Sequence, residues 1–276
     1  MSRSDGDGTA RSTRTVVVTF LGSVVRSMGD WMPIGGAVDL LGEVGLDPTS
    51  VRTAVFRLKK RDWLVSEVRD GVRGYALTRQ ALTSLAAGDE VIWHARRQAA
   101  LDDGWCVVNF SVPETERAKR HQLRSHLAAL GFGNVGTAMW IAPARMRAAA
   151  EQAIAELGLT SYSAVFEGAH VGGQDLRTLV AGSWDLDGIA EGYRDFLARF
   201  GTVAVDTPGD AFATYVELVD HWRKLPFRDP GLPPELLPTD WPAADALALF
   251  EGLVARLEPP ALAHAATRWT PASAAG

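Results

Sequence analysis

The sequence contains one cysteine and no long apolar run. A single thiol, Cys106, cannot form an intramolecular disulfide or a cysteine-rich zinc site. Its apolar surroundings predict a buried, inert thiol. No stretch approaches the ~20 consecutive apolar residues that a membrane-spanning helix needs. The polar start of the chain lacks the apolar core of a secretory signal. We therefore expect a cytoplasmic protein with no membrane partner.

Signatures of catalysis and metal binding are also scarce. The six histidines are scattered along the chain. His121 and His126 are five residues apart, which does not match the i, i+4 spacing of a helical zinc site. Residues 131–136 spell GFGNVG, but a predicted helix precedes this motif and a strand follows it, the reverse of a dinucleotide-binding turn. We predict a non-enzyme with no catalytic residues, no metal and no cofactor.

Charge is low overall but unevenly distributed along the chain. The 276 residues have a formal net charge of −5, with 47% hydrophobic and 22% charged residues, as in an ordinary folded protein. Residues 11–80 contain eleven basic and seven acidic side chains, a net charge of +4, whereas residues 81–276 carry −8. This distribution favours an anion-binding module at the front, joined to a body that does not bind anions.

The first 96 residues show the order of a winged helix-turn-helix domain. Residues 15–29 fit a buried helix, although three consecutive valines leave a strand open, and a short helix is predicted over 35–44. Asp47-Pro48 is a strong helix start, so we predict a helix over 48–61. Two extended runs, 63–69 and 72–78, flank Asp70-Gly71, the favoured pair for a type I′ hairpin.

The helix over 48–61 divides into an apolar stripe and a polar face. The second helix of a helix-turn-helix lies in the major groove, where hydroxyl, Arg and Lys side chains bind phosphates and base edges. On this helix and beside the hairpin turn we predict the DNA-binding residues Ser50, Arg52, Thr53, Arg57, Lys59, Lys60, Arg69 and Arg73. Phe56 is interpreted as packing under the hairpin, and not as a base contact. An ordinary solvated amphipathic helix is the alternative.

The remaining chain predicts a small α/β domain and a helical end. Strands over 104–111, 135–141, 162–166 and 178–184 alternate with helices over 114–130 and 144–157, the pattern of a ferredoxin-like sandwich over 100–180. Helices are predicted over 187–200, 208–224 and 243–257, with a proline-rich stretch before the last. The fold class is therefore α+β: a winged helix-turn-helix at 13–96, a ferredoxin-like domain at 100–180 and a mainly helical domain at 181–269.

Three ordered blocks resemble the PaaX family of repressors. SVRTAVFRLKKRDWL (50–64) is similar to the family's recognition helix. GWCVVNFSVPE (104–114), followed by LRSHLAALGFGNVGTAMWIAP (123–143), resembles its Cas2-like middle domain, and FRDPGLPPELLPTDWP (227–242) its C-terminal signature. The resemblance covers about 13–269. It implies a dimeric repressor of genes for phenylacetate or a related aromatic acid, released from operator DNA by an acyl-CoA thioester such as phenylacetyl-CoA.

An acyl-CoA effector needs cations for its phosphates and an apolar pocket for its acyl group. Arg117, Arg120 and Arg124 share one face of a predicted helix and are candidates for the phosphates, although they equally suit a solvated face or contact with DNA. The candidate effector-binding aromatics are Trp140, Trp184, Tyr193 and Trp222, and Trp241 is a further candidate for the pocket wall. Each could equally be an aromatic residue of a hydrophobic core.

Two other functions remain open at this stage. The Cas2-like resemblance raises a metal-dependent nuclease, which needs carboxylates to hold its ion. The first strand of the middle domain ends with Asn109 and Ser111 instead, and the nearby acids Asp185 and Asp187 more simply cap the following helix. An interaction module with no role on DNA is the third possibility.

Overall fold

The computed structural model describes residues 12–92 and 98–269, which group into two compact units. The first unit consists of the described residues of 1–89, 199–222 and 248–276. The second consists of those of 90–198 and 223–247. The helical segment predicted over 181–269 is therefore divided between the two units. Amphipathicity indicates that a helix has a buried face, but not which core receives it.

The first unit begins with three helices. α1 spans Thr13–Phe20 and continues through a π-helical turn and a 3₁₀ turn to Met28, so the first segment is helical despite its valine run. α2 spans Ile34–Glu43 and α3 spans Pro48–Lys60, as predicted to within a residue or two. α1 packs against α3, and so does α2. α4, Arg79–Ile92, follows the hairpin.

A three-stranded antiparallel sheet completes the front of this unit. β2 (Leu64–Arg69) and β3 (Val72–Leu77) form the predicted hairpin, and Asp70 and Gly71 both have positive φ, 50° and 78°, as a type I′ turn requires. β1 (Trp31–Pro33) pairs with the other side of β3, giving the order β1-β3-β2. The sequence indicated only a break at β1, because its pairing with β3 is distant in the chain.

Two late helices complete the core of the first unit. α9 spans Pro208–Trp222 and packs against both α1 and α2. The Phe212 ring lies edge-on to the Phe20 ring at 6.2 Å, and both side chains are fully buried. The Thr19 hydroxyl donates to the buried Asp220 carboxylate at 3.0 Å. α10, Ala243–Ala266, continues past the predicted end at 257 and through Pro259 and Pro260.

The second unit contains a four-stranded antiparallel sheet. Its strands are β4 (Trp105–Phe110), β5 (Gly133–Asn134), β6 (Met139–Pro143) and β7 (Ser163–Gly168), in the order β5-β6-β4-β7. α5 (Arg117–Ala129) connects β4 to β5, and α6 (Arg147–Glu156) connects β6 to β7. This is the split β-α-β order of the ferredoxin-like arrangement.

The strand predicted over 178–184 is wrong. α7, Leu176–Ser183, occupies this segment, because the Asp175 carboxylate accepts the Thr178 N–H at 3.0 Å and starts a helix there. α8 follows at Leu186–Phe200, and a 3₁₀ turn at Pro234–Leu236 interrupts the proline-rich stretch. Within 12–92 and 98–269, no helix is both long and apolar enough to cross a membrane.

Candidate nucleic-acid interface

The start of α3 is fixed by its cap. The Asp47 carboxylate accepts the backbone N–H groups of Thr49 at 3.0 Å and Ser50 at 2.9 Å, and Pro48 occupies the first helical position. Hydrogen bonds from Ser50, through its side chain and its backbone, hold the pKa of Asp47 below its usual value. The ionised carboxylate therefore sets the first turn of the helix and the residues that its outer face presents.

The buried stripe of α3 is the one that the spacing predicts. Val51, Ala54, Val55 and Leu58 are buried, and they place the opposite side of the helix in solvent. Of the six predicted DNA-binding residues on α3, Ser50 is half-buried and the others are exposed: Arg52, Thr53, Arg57, Lys59 and Lys60. The helix therefore presents cations and a hydroxyl on a single outer surface.

Phe56 also lies on this outer surface, so its predicted packing under the hairpin is wrong. Its side chain is 55% exposed, and the Lys60 ammonium lies 4.9 Å from the centroid of its ring. Successive helical residues turn by about 100°, which places Phe56 beside Thr53 and Lys60 and nearly opposite Leu58. Lys59 is the α3 residue that contacts the hairpin instead, because its ammonium donates to the Ser66 hydroxyl of β2 at 2.9 Å.

The other flank of α3 borders a polar cleft of about 390 Å³. It is lined by Thr13 and Arg14 at the start of α1, by Thr49, Thr53 and Arg57 of α3, and by the capping carboxylate of Asp47. Guanidinium and hydroxyl groups are the donors that most often bind phosphate oxygens. The cleft therefore adds Arg14, which the sequence analysis did not single out, to the candidate anion-binding residues. Arg14 is on a separate helix, and nothing in the sequence indicated that it lies beside α3.

The two arginines of the hairpin differ in their surroundings. Arg69 Nε lies 2.6 Å from Glu67 Oε1, its Nη1 donates to the Gly29 carbonyl at 3.2 Å, and its guanidinium lies 5.5 Å from the Trp31 ring centroid. Arg69, the last residue of β2 beside the turn, is thus engaged within the protein. Arg73 lies opposite Val68 near the turn and is exposed. Arg73 is therefore the hairpin arginine that is better placed to reach a ligand.

The three candidate effector arginines lie together on α5 of the second unit. The Glu114 carboxylate pairs with Arg120 at 2.8 Å and with Arg117 at 3.5 Å. Arg124 donates to the Thr137 carbonyl at 3.2 Å, and its guanidinium lies 5.5 Å from the Trp140 ring centroid. All three are therefore engaged within the protein, and a phosphate would have to compete with these contacts.

The candidate effector aromatics are spread over different cores. Trp140 belongs to the cluster beneath β4 and β6, while Trp184 packs in a second cluster and donates to the Gly131 carbonyl at 3.0 Å. Tyr193 donates to Asp229 at 3.0 Å, and burial raises its pKa. Trp222 belongs to the first unit, where it stacks on Phe250 at 4.5 Å. Within the second unit, Trp140 and Trp184 therefore belong to different clusters.

Cys106 is fully buried, and burial raises the pKa of its thiol to about 11.

The chemistry of a nuclease has little support among the described residues. Asp185 accepts the Gly188 N–H at 3.0 Å, as expected for a cap of α8. Across the two described ranges, no group of three or more His, Cys, Asp or Glu side chains is arranged to hold a metal ion.

Family models cover almost the whole chain. The model of a PaaX-like protein matches residues 12–81, that of the PaaX protein central Cas2-like domain matches 98–180, and that of the PaaX-like protein C-terminal domain matches 184–267. The three matches follow one another along the chain and leave only short segments between them. The chain belongs to the PaaX family.

Two relatives illustrate the extent of the similarity. The transcriptional repressor PaaX of Escherichia coli strain K12 is 26% identical over 270 residues, which cover 91% of this chain and 82% of that protein. An uncharacterised protein from Mycobacterium tuberculosis has a similar structure, with a TM-score of 0.62 and 21% identity over 91% of this chain and 98% of its own. The second similarity concerns the fold alone.

Proposed function

We propose that this chain is a DNA-binding transcriptional repressor whose first unit is a winged helix-turn-helix domain. The observation that carries the proposal is the outer face of α3, where five of the six predicted residues are exposed on a helix fixed by its cap. α2 and α3 are the paired helices of such a domain, and the β2–β3 hairpin is its wing. The name of the Escherichia coli relative, a transcriptional repressor, supports the same role.

The exposed residues divide into readout and positioning groups. Arg57 and Lys60, on the outer side of α3, are placed to contact base edges in the major groove, where Arg forks onto guanine O6 and N7. Arg14 borders the polar cleft and suits a phosphate of the groove wall. Arg73, on the hairpin that forms the wing, is suited to bind a phosphate of the neighbouring DNA backbone. The overall charge of −5 does not oppose binding, because basic residues are denser before residue 80: residues 11–80 carry a net charge of +4, and residues 81–276 carry −8.

Membership of the PaaX family supports a proposal for the regulated pathway and the effector. We propose that the protein acts in the cytoplasm as a homodimer on a gene set for phenylacetate or a related aromatic acid. An acyl-CoA thioester such as phenylacetyl-CoA releases it from DNA. A symmetric dimer reads two half-sites about 34–36 Å apart. The effector must bind the DNA-incompetent state more tightly, so that DNA and effector weaken each other's binding.

A DNA-binding titration tests the proposal. Fluorescence anisotropy with a labelled fragment from upstream of the protein's own gene should show saturable binding. An unlabelled fragment of scrambled sequence should compete poorly for the protein. Phenylacetyl-CoA should release the DNA, whereas free CoA and phenylacetate serve as ligand controls. No binding even at low salt would reject the repressor. Binding that no member of an acyl-CoA panel reverses would reject the effector, and DNA cleavage with Mg²⁺ or Mn²⁺ would favour a nuclease.

A further inference from the structure

Phe56 combines high exposure with a central position on the candidate recognition helix. Its side chain is 55% exposed, while the apolar residues Val51, Val55 and Leu58 of the same helix are at most 2% exposed. Burial of an apolar side chain is favourable, so an exposed ring leaves most of that free energy unused in the free protein. A ligand that covers the ring would gain it.

The surroundings of the ring restrict what this ligand can be. Lys60 places its ammonium 4.9 Å from the ring centroid, and Arg52, Thr53 and Arg57 are exposed on the same helix. The cores of protein–protein interfaces are depleted in charged residues, so an apolar partner protein fits poorly over this ring. A surface with one apolar group among cations instead matches polyanionic DNA.

The major groove offers an apolar group of its own. Among the four bases, only thymine carries a methyl group on its major-groove edge, and apolar side chains, phenylalanine included, contact it there. Wedging of apolar side chains between base steps is typical of proteins that bend DNA from the minor groove. A helix such as α3 fits the major groove, so its Phe56 meets base edges and not base faces.

We propose that Phe56 is a specificity-determining residue that packs against the C5 methyl group of a thymine in each operator half-site. This proposal rests on the repressor function proposed above. The neighbouring cations hold the helix against the phosphates, and Phe56 selects thymine over cytosine, whose C5 carries hydrogen. The Lys60 ammonium covers part of the ring, which limits the contact to the ring surface that remains open.

Replacing thymine by deoxyuridine one position at a time tests the contact. This change removes the methyl group and leaves the base-pairing hydrogen bonds unchanged. The operator fragment is titrated with wild-type protein and with Phe56→Ala and Phe56→Leu, at a salt concentration low enough for all three to bind. Phe166→Ala is the matched control, since that phenylalanine is 61% exposed on β7 of the second unit. Circular dichroism verifies that each variant is folded.

We expect one thymine per half-site at which deoxyuridine weakens wild-type binding about three- to fourfold, the effect of burying one methyl group. Phe56→Ala should lose this dependence, Phe56→Leu should keep part of it, and Phe166→Ala should keep it entirely. If no deoxyuridine substitution weakens the wild type, or if Phe56→Ala retains the full dependence, the inference is overturned. Absence of operator binding by the wild type would instead reject the proposed function itself.

Discussion

Replacing Phe212 by alanine should destabilise the N-terminal helices of the first unit, although the residue lies in the last third of the chain. Phe212 is fully buried on α9, with its ring 6.2 Å from Phe20 of α1 and 5.9 Å from His264 of α10. Truncating a buried phenylalanine costs about 3–5 kcal/mol. Loss of the edge-on aromatic pair accounts for about 0.5–1.5 kcal/mol of this. The free energy of unfolding of a typical domain is about 5–15 kcal/mol.

Hydrogen–deuterium exchange measured by mass spectrometry locates the effect. Peptides from 13–60 and from 208–222 should lose protection together in Phe212→Ala, because α1, α2 and α9 share one core. Urea unfolding gives the size of the loss, and Phe166→Ala, exposed on the second unit, should change it by less than about 0.5 kcal/mol. If only 208–222 loses protection while 13–60 stays as protected as in the wild type, the shared core is refuted.

Three further predictions concern the interface and the second unit. Arg57→Ala should weaken specific DNA binding by about 1–3 kcal/mol if the guanidinium forks onto guanine; anisotropy titration checks this, and unchanged affinity and sequence preference would remove Arg57 from the interface. Hydrogen bonds lower the pKa of Asp47, so its charge stabilises the fold above the unfolded-state pKa, and the benefit disappears as the pH falls through the lowered value. The melting temperature of wild type minus that of Asp47→Ala should accordingly shrink between pH 7 and pH 3, and a constant difference would contradict the cap's ionic character. Cys106, with its pKa raised to about 11 by burial, should resist an aromatic disulfide reagent at pH 8 until urea unfolds the protein; rapid reaction of the native protein would show that the thiol is accessible.

Local chemistry explains the parts of the first unit that the sequence predicted well. The start of α3 depends on Asp47 and Pro48, and the hairpin turn depends on Asp70 and Gly71, all within a few residues of the structures they determine. The buried stripe of α3 follows from helical spacing. The sheet of the second unit was predicted through its alternation with helices, although short β5 was not resolved from β6.

Long-range and ambiguous features account for what the sequence did not predict. β1 is three residues long and exists because it pairs with β3 more than forty positions later in the chain. The apolar run that forms α7 is short enough to suit a strand or a helix equally. An aromatic residue in a core and one in a pocket look alike in a sequence, so the sequence alone did not indicate that Trp222 stacks on Phe250.

The division of the chain between the two units has a consequence for protein synthesis. The first unit takes α1 to α3 from the beginning of the chain and most of α10 from its end. A ribosome that adds about 5–20 residues per second needs roughly 10–35 s to translate the intervening segment. During that interval the faces of α1 and α2 that α9 later covers have no native partner. The N-terminal helices therefore complete their native core only after α9 has been synthesised.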